Sequence, residues 1–327
     1  MAFFIPSTLK VAQLKQLAFK CGIQSSGTKP ILTQRLHDEI SRSAQNATKA
    51  KGGNPIRILS IDMGIRNLAY CILDVPPKKV SSSKKDAKLQ LPIIQSWHRL
   101  AVSTAPSKIE EAAAPSKEQE KESFSPATLS KTAYTLLKER LLPHNPTHIL
   151  IERQRFRSMG SKHILEWTIR VNMFESILHA TLCTLKAEGV WEGSVEAIAP
   201  GRVGPFWIGE EEDGEGADNS SKKVRNTKSV KAQNKGAKID LVRKWLDSED
   251  MVRLGNEEVE SVAKAYMEKW GRAPGGVTRP RKGVGKEEKM GKLDDLADSM
   301  LQGMAWIQWE KNKSLALERG VEVLLEP

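Results

Sequence analysis

Residues 58–73 read ILSIDMGIRNLAYCIL, an apolar run broken by a single acid, Asp62. A run of this kind has the character of strands buried on both faces, which restricts the chain to folds with a covered sheet. A carboxylate placed there is costly unless it is neutralised, paired or bound to a metal. The pattern recurs in HILIERQR, where an apolar strand closes on Glu152. A third acidic group lies in KLDDLADSMLQGMAWIQWE, expected to form an amphipathic helix over about 292–310. At about 100° per residue, Asp294, Asp295 and Asp298 fall within one arc. Leu293, Leu296, Met300, Met304 and Ile307 fill the opposite, core-facing side.

Two acids ending adjacent strands repel each other unless a cation joins them. An all-oxygen donor set suits a hard divalent ion, and two such ions about 4 Å apart activate water and stabilise the leaving oxygen of a phosphodiester. Taken singly, each acid has a plainer role. Asp62 can cap a turn, Glu152 can pair with a neighbouring arginine, and the helix acids can form a solvated face. The occurrence of all three on strand, strand and late helix favours the metal site.

The order of elements points to a mixed α/β sheet flanked by helices. Strands are expected from Ile56, at NLAYCILDV, at LPIIQSWHRLAV, at PTHILIERQR and at SVEAIAP, with helices over about 127–142 and 161–187. The second helix repeats Ile164, Trp167, Val171, Phe174, Leu178 and Leu185 at steps of three and four. That spacing fits packing on the sheet and equally a seam between two copies.

Ahead of this domain, residues 8–40 read as two short helices around the polar turn GIQSSGTK. Leu9, Val11, Leu14 and Leu17 form one apolar face, and Ile31, Leu32, Leu36 and Ile40 the other. The expected division is a helical module at 1–42, a polar linker at 43–55, a main domain at 56–312 and a tail at 313–327. Polar insertions are expected near 76–90, 104–126, 209–236 and 271–291.

Charge narrows the partners. Lysine and arginine outnumber aspartate and glutamate 51 to 40, a net charge of +11, which favours a polyanion such as nucleic acid. Arg153, Arg155 and Arg157 alternate after Glu152, and nine basic residues against one acid run from Lys222 to Lys244, including Lys231, Lys235 and Lys238. Either stretch can grip phosphates; solvation alone also explains the second. Lys235 or Lys238, read as opening the helix AKIDLVRKWL, can instead reach the scissile phosphate. Phe206 and Trp207, expected on a loop, can stack on opened bases or pack in the core. The three cysteines show no CxxC spacing, which argues against a zinc site or a disulfide framework. No window approaches the length of a membrane span, and no organic cofactor is implied. No acid precedes Asp38, a pattern of mitochondrial transit peptides that coexists with the folded-module reading.

SIDMGIRNLAY, LIERQRFRS and KLDDLADSML resemble the RuvC-type, RNase H-like resolvases. The likeness is strongest to the fungal mitochondrial Holliday-junction resolvases, and residues 8–40 resemble the SAP motif that precedes their catalytic domain. The resemblance implies an RNase H-like sheet and a homodimer that cuts four-way DNA junctions symmetrically with Mg2+ or Mn2+ in mitochondria. It also implies metal ligation by Asp62, Glu152, Asp298 and one of Asp294 or Asp295. DLAD spacing favours Asp295, whereas Asp294 stands in the i, i+4 relation to Asp298, and the pair stays open. An actin-like or sugar-kinase fold fits less well, because DMGIRN lacks the Gly-Thr or Gly-Ser that usually follows the acid. A ribonuclease H acting on RNA–DNA hybrids, or a non-catalytic DNA-binding protein, remains the alternative.

Overall fold

A computed structural model describes residues 3–49, 56–77, 90–102, 123–154, 165–209, 227–271 and 293–326, with the backbone alone at 44–49, 227–233 and 270–271. The expected insertions fall mostly outside these residues. The chain forms two compact units, one of 56–199 and 239–300, the other of 1–55, 200–238 and 301–327.

The first unit is built on a sheet. Strands β1 (Ile56–Asp62), β2 (Leu68–Val75), β3 (Ile93–Leu100), β4 (His148–Glu152), β5 (Ser194–Ile198) and the two-residue β6 (Arg253–Leu254) lie in the order β5-β4-β1-β2-β3-β6. β1 pairs antiparallel with β2 and parallel with β4. Strand β6 and the helix that follows it were not legible in the sequence, since two residues carry no periodicity.

Alternation in β1 sends Leu59 and Ile61 to one face and Ser60 and Asp62 to the other. The first face packs on helices α3 (Pro126–Thr135) and α4 (Glu166–Ala187) through Leu129, Ala133, Val171, Phe174, Leu178 and Leu182. α3 begins on an N-cap at Ser125, whose hydroxyl accepts from the Thr128 amide at 3.2 Å. The periodic face of α4 is therefore spent on its own sheet. Trp167, read as part of that face, instead lies 37% exposed, with Leu165 and Ile169 also exposed beside it.

The opposite face carries two small residues beside a tryptophan. Ser60, Cys71 and Trp97 share one register row, and all are buried. Over it lie α7 (Glu257–Gly271) and the start of α8 (Leu293–Arg319). Trp97 donates its indole N–H to the Leu296 carbonyl at 3.0 Å and meets Tyr266 of α7 at a centroid distance of 5.1 Å. The apolar stripe read in the sequence holds here, with Leu293, Leu296 and Met300 buried.

In the second unit, α1 (Val11–Lys20) and α2 (Lys29–Lys49) form the expected hairpin. Leu14, Leu17, Leu32, Leu36 and Ile40 are buried, whereas Val11 and Ile31 turn outward by one helical step. α2 continues through residues assigned to the linker, because 41–49 hold neither Gly nor Pro and polar composition does not stop a helix. The expected tail is also folded. α8 runs on to Arg319, and Ala316, Val321 and Leu324 are buried with the hairpin leucines. The helix was expected to end at about 310; the burial of the later apolar residues depends on the hairpin.

Two further readings are corrected here. Phe206 and Trp207 sit on helix α5 (Pro200–Ile208), not a loop, despite Pro205. Phe206 packs within 5.9 Å of Phe19 and 5.7 Å of Trp309, and the Trp207 indole donates to the Leu301 carbonyl at 3.0 Å. Aromatic packing and a satisfied indole hold them in place. α6 (Thr227–Ser248) begins well before Lys235, so Lys235 and Lys238 are mid-helix and do not open it. Lysine, alanine and glutamine are good helix formers, and a basic composition had masked that propensity.

The fold makes a stability prediction. Trp97→Ala removes a fully buried ring and the bond to Leu296, and is expected to cost about 3–5 kcal/mol in equilibrium urea unfolding. A loss below about 1 kcal/mol would show that α8 is held some other way.

Candidate active site

The register of β1 and β4 builds the site. Ile61 pairs with Ile151 in parallel, so the next residues along, Asp62 and Glu152, emerge side by side. Ile61 and Ile151 belong to the α3/α4 core, which places both carboxylates on the opposite face. Neighbouring strands are about 4.8 Å apart, too close for two unshielded charges. The row continues across the sheet: Asp62 pairs with Ala69, and Ala69 with Arg99. Glu152, Asp62, Ala69 and Arg99 thus line one level of one face, with the small, fully buried Ala69 leaving room above it.

The first turn of α8 brings the remaining acids. Asp62 is held well above the usual carboxylate range, first by burial and then by Glu152, Asp298 and Asp295. A side-chain hydrogen bond with Glu152 acts in the same direction. Asp294 does not figure among the charges acting on Asp62. Its charge acts instead on Tyr266, whose phenol is pushed up by burial first and then by Asp298, Asp240 and Asp294. Of the adjacent helix acids, Asp295 is therefore the one turned toward the strand acids.

Asp295 also meets a cation. Arg99 Nε donates to its Oδ2 at 3.0 Å, with both side chains largely shielded. The same guanidinium bonds Asn67 Oδ1, in the turn after β1. Sequence reading missed Arg99. Its signal lay in the strand period, since it occupies an Asp62-facing position two strands away, but finding it requires the register. Gln154 was also missed. Its Nε2 donates to Glu152 Oε2 at 3.3 Å and to the Met63 carbonyl at 3.5 Å.

Asp62 has Glu152, Asp295 and Asp298 as charged neighbours, and all four offer carboxylate oxygens. Among the described residues, no group of three or more His, Cys, Asp or Glu side chains is spaced to hold a metal ion. By chemistry, an all-oxygen donor set of this kind suits a hard divalent cation. Of the basic residues, Arg153 is exposed at the mouth of β4, its amide donating to the Ile198 carbonyl at 2.8 Å. Arg155 and Arg157 lie outside the described residues, as does the side chain of Lys231. Lys235 is exposed and Lys238 half-buried on α6, and both belong to the other compact unit, as do Phe206 and Trp207.

Known proteins are similar to this chain over most of its length. Residues 58–315 match the family described as "Mitochondrial resolvase Ydc2 / RNA splicing MRS1", over its catalytic region. A protein of Schizosaccharomyces pombe named "Cruciform cutting endonuclease 1, mitochondrial" is 26% identical over 309 residues, 93% of each chain. The Saccharomyces cerevisiae protein of the same name is 26% identical over 320 residues, covering 93% of this chain and 82% of its own. The fold is similar to the crystal structure of the yeast mitochondrial Holliday junction resolvase Ydc2, with a TM-score of 0.54 at 21% identity over 96% of this chain and all of that one.

The electrostatics give a pH prediction. Folding raises the Asp62 pKa, so its contribution to stability is full below the ordinary aspartate range and is lost as pH rises through the raised value. In EDTA, thermal stability is expected to fall as pH rises above the ordinary aspartate range. Asp62→Asn should remove that slope and gain about 1–3 kcal/mol at the upper end. A variant with the wild-type slope would show that Asp62 is not the titrating group.

Proposed function

The chain belongs to the mitochondrial resolvase Ydc2 / RNA splicing MRS1 family, and from that premise we propose that it is a mitochondrial endodeoxyribonuclease that resolves four-way DNA junctions by paired phosphodiester hydrolysis. The family description spans a resolvase and a splicing protein, so membership alone does not choose between them. The observation that carries the nuclease reading is the acid cluster: Asp62, Glu152, Asp295 and Asp298 face one another on strand ends and a late helix. A fold that bound nucleic acid without cutting it gains nothing from such repulsion. Both curated relatives being cruciform cutting endonucleases supports the same reading.

Asp62, Glu152, Asp295 and Asp298 would hold Mg2+ or Mn2+, two ions per site. When bound, the ions supply an activated water and neutralise charge on the leaving oxygen. The chain's own residues set the geometry. Parallel register presents Asp62 and Glu152 together, and Arg99 fixes Asp295 by one carboxylate oxygen. Arg153, with Arg155 and Arg157, would hold flanking phosphates, making binding strongly salt-dependent. The helical hairpin of α1 and α2 is the SAP-like module of this reading, a second DNA contact.

Paired cuts on a twofold junction call for a twofold enzyme. A homodimer is therefore part of the proposal, and the exposed Leu165, Trp167 and Ile169 at the head of α4 supply apolar surface for the second copy. Trp167→Glu is expected to shift sedimentation from dimer to monomer; an unchanged dimer would place the seam elsewhere.

Cleavage of a synthetic four-way junction, beside linear duplex and RNA–DNA hybrid, tests the function. Symmetric nicks that require Mg2+ and disappear in Asp62→Asn, with junction binding intact, are expected. Asp295→Asn should lower the rate roughly 100-fold or more, equivalent to about 2.7 kcal/mol of transition-state stabilisation, whereas Asp294→Asn should retain most activity. Equal cutting of the hybrid would indicate a ribonuclease H, and tight binding without cutting under any metal a non-catalytic nucleic-acid protein.

A further inference from the structure

Glu175 is a charged side chain buried in the first unit, 8% exposed, and the acid cluster does not include it. It follows Phe174 on α4, whose neighbouring residues are committed to the core beneath the sheet. Burying a carboxylate there is expensive unless its oxygens are used. Its Oε2 accepts the backbone N–H of Gln154 at 2.9 Å. That amide lies just beyond the last bond of the β4–β5 ladder, from the Arg153 N–H to the Ile198 carbonyl. Where the sheet stops holding the chain, Glu175 takes over.

The residue held in this way joins the two strand ends. A primary amide nitrogen carries two N–H groups. Gln154 directs Nε2 to Glu152 Oε2 and to the carbonyl of Met63, the residue after Asp62. One side chain thus spans β1 and β4 at the level where their carboxylates repel. The backbone from which Gln154 reaches both strands is held by its own N–H bond to Glu175.

We propose that Glu175 is a positioning residue for the metal site: by anchoring Gln154 it holds Glu152 against Asp62 in a geometry that receives a divalent cation. The inference rests on the metal-site reading above. It requires the acceptor oxygen of Glu175, not its charge, and no contact between Glu175 and the ion. Glu175→Gln keeps an acceptor and should function; Glu175→Met keeps the bulk and removes the acceptor.

The test is Mn2+ binding to the full-length protein without DNA, followed by calorimetry and by electron paramagnetic resonance of free Mn2+, with circular dichroism as the check on folding. Wild type should bind and Asp62→Asn should not; failure of the wild type to bind would overturn the metal site itself, whatever Glu175 does. Glu175→Met is expected to weaken Mn2+ by about 10–100-fold with the fold retained, and Glu175→Gln to bind as wild type does. Gln154→Met reads the same link from the other end should Glu175→Met fail to fold, and it should show a matching loss. In the double variant the two losses should not add. Wild-type affinity in Gln154→Met, or equal losses in Glu175→Gln and Glu175→Met, would overturn the assignment.

Discussion

The structure depends on the pairing of two strands in parallel. Because β1 and β4 meet at Ile61 and Ile151, the acid that ends each strand stands beside the other on one face. No slippage by one residue is tolerated, since it would turn a carboxylate into the α3/α4 core and an isoleucine out of it. Hydrophobic burial on the far face therefore enforces an electrostatically unfavourable arrangement on the near one. In the proposed function that arrangement serves to attract a cation.

Everything around the acids limits the cost of that arrangement. Arg99 bonds Asp295, and Gln154 bonds Glu152 and the Met63 carbonyl, which ties the two strand ends together. The buried row of Ser60, Cys71 and Trp97 lies beneath α8, which Trp97 bonds at the Leu296 carbonyl. Arg99 and Asn67 also connect β3 to the turn after β1, which couples the sheet edge of the site to the helix above.

The family holds both a resolvase and a splicing protein on one fold, and the difference between cutting and holding nucleic acid has to reside in a few side chains. Four carboxylates facing one another are costly to keep in a protein that needs only a basic surface. The surrounding residues, Arg99 and Gln154, bond these acids directly.

Much of this was present in the linear sequence. The apolar runs ending in Asp62 and Glu152, and the helix with acids on one arc and leucines on the other, identify strand, strand and helix because local periodicity is set by backbone geometry alone. Composition misled where polarity was taken for absence of structure: residues 41–49, the start of α6 and the residues after 310 are all helical or packed. Helix propensity survives in polar sequence, and burial at Val321 and Leu324 depends on a hairpin some three hundred residues away. The sequence by itself determined which residues carry the acids and on which kind of element each lies. Only the tertiary structure decided that Asp295 meets Arg99, in the row of Asp62, and that Gln154 bonds Glu152 and Glu175. Those assignments follow from strand register and from the angle at which a helix docks, and both are set by contacts between residues far apart in the chain.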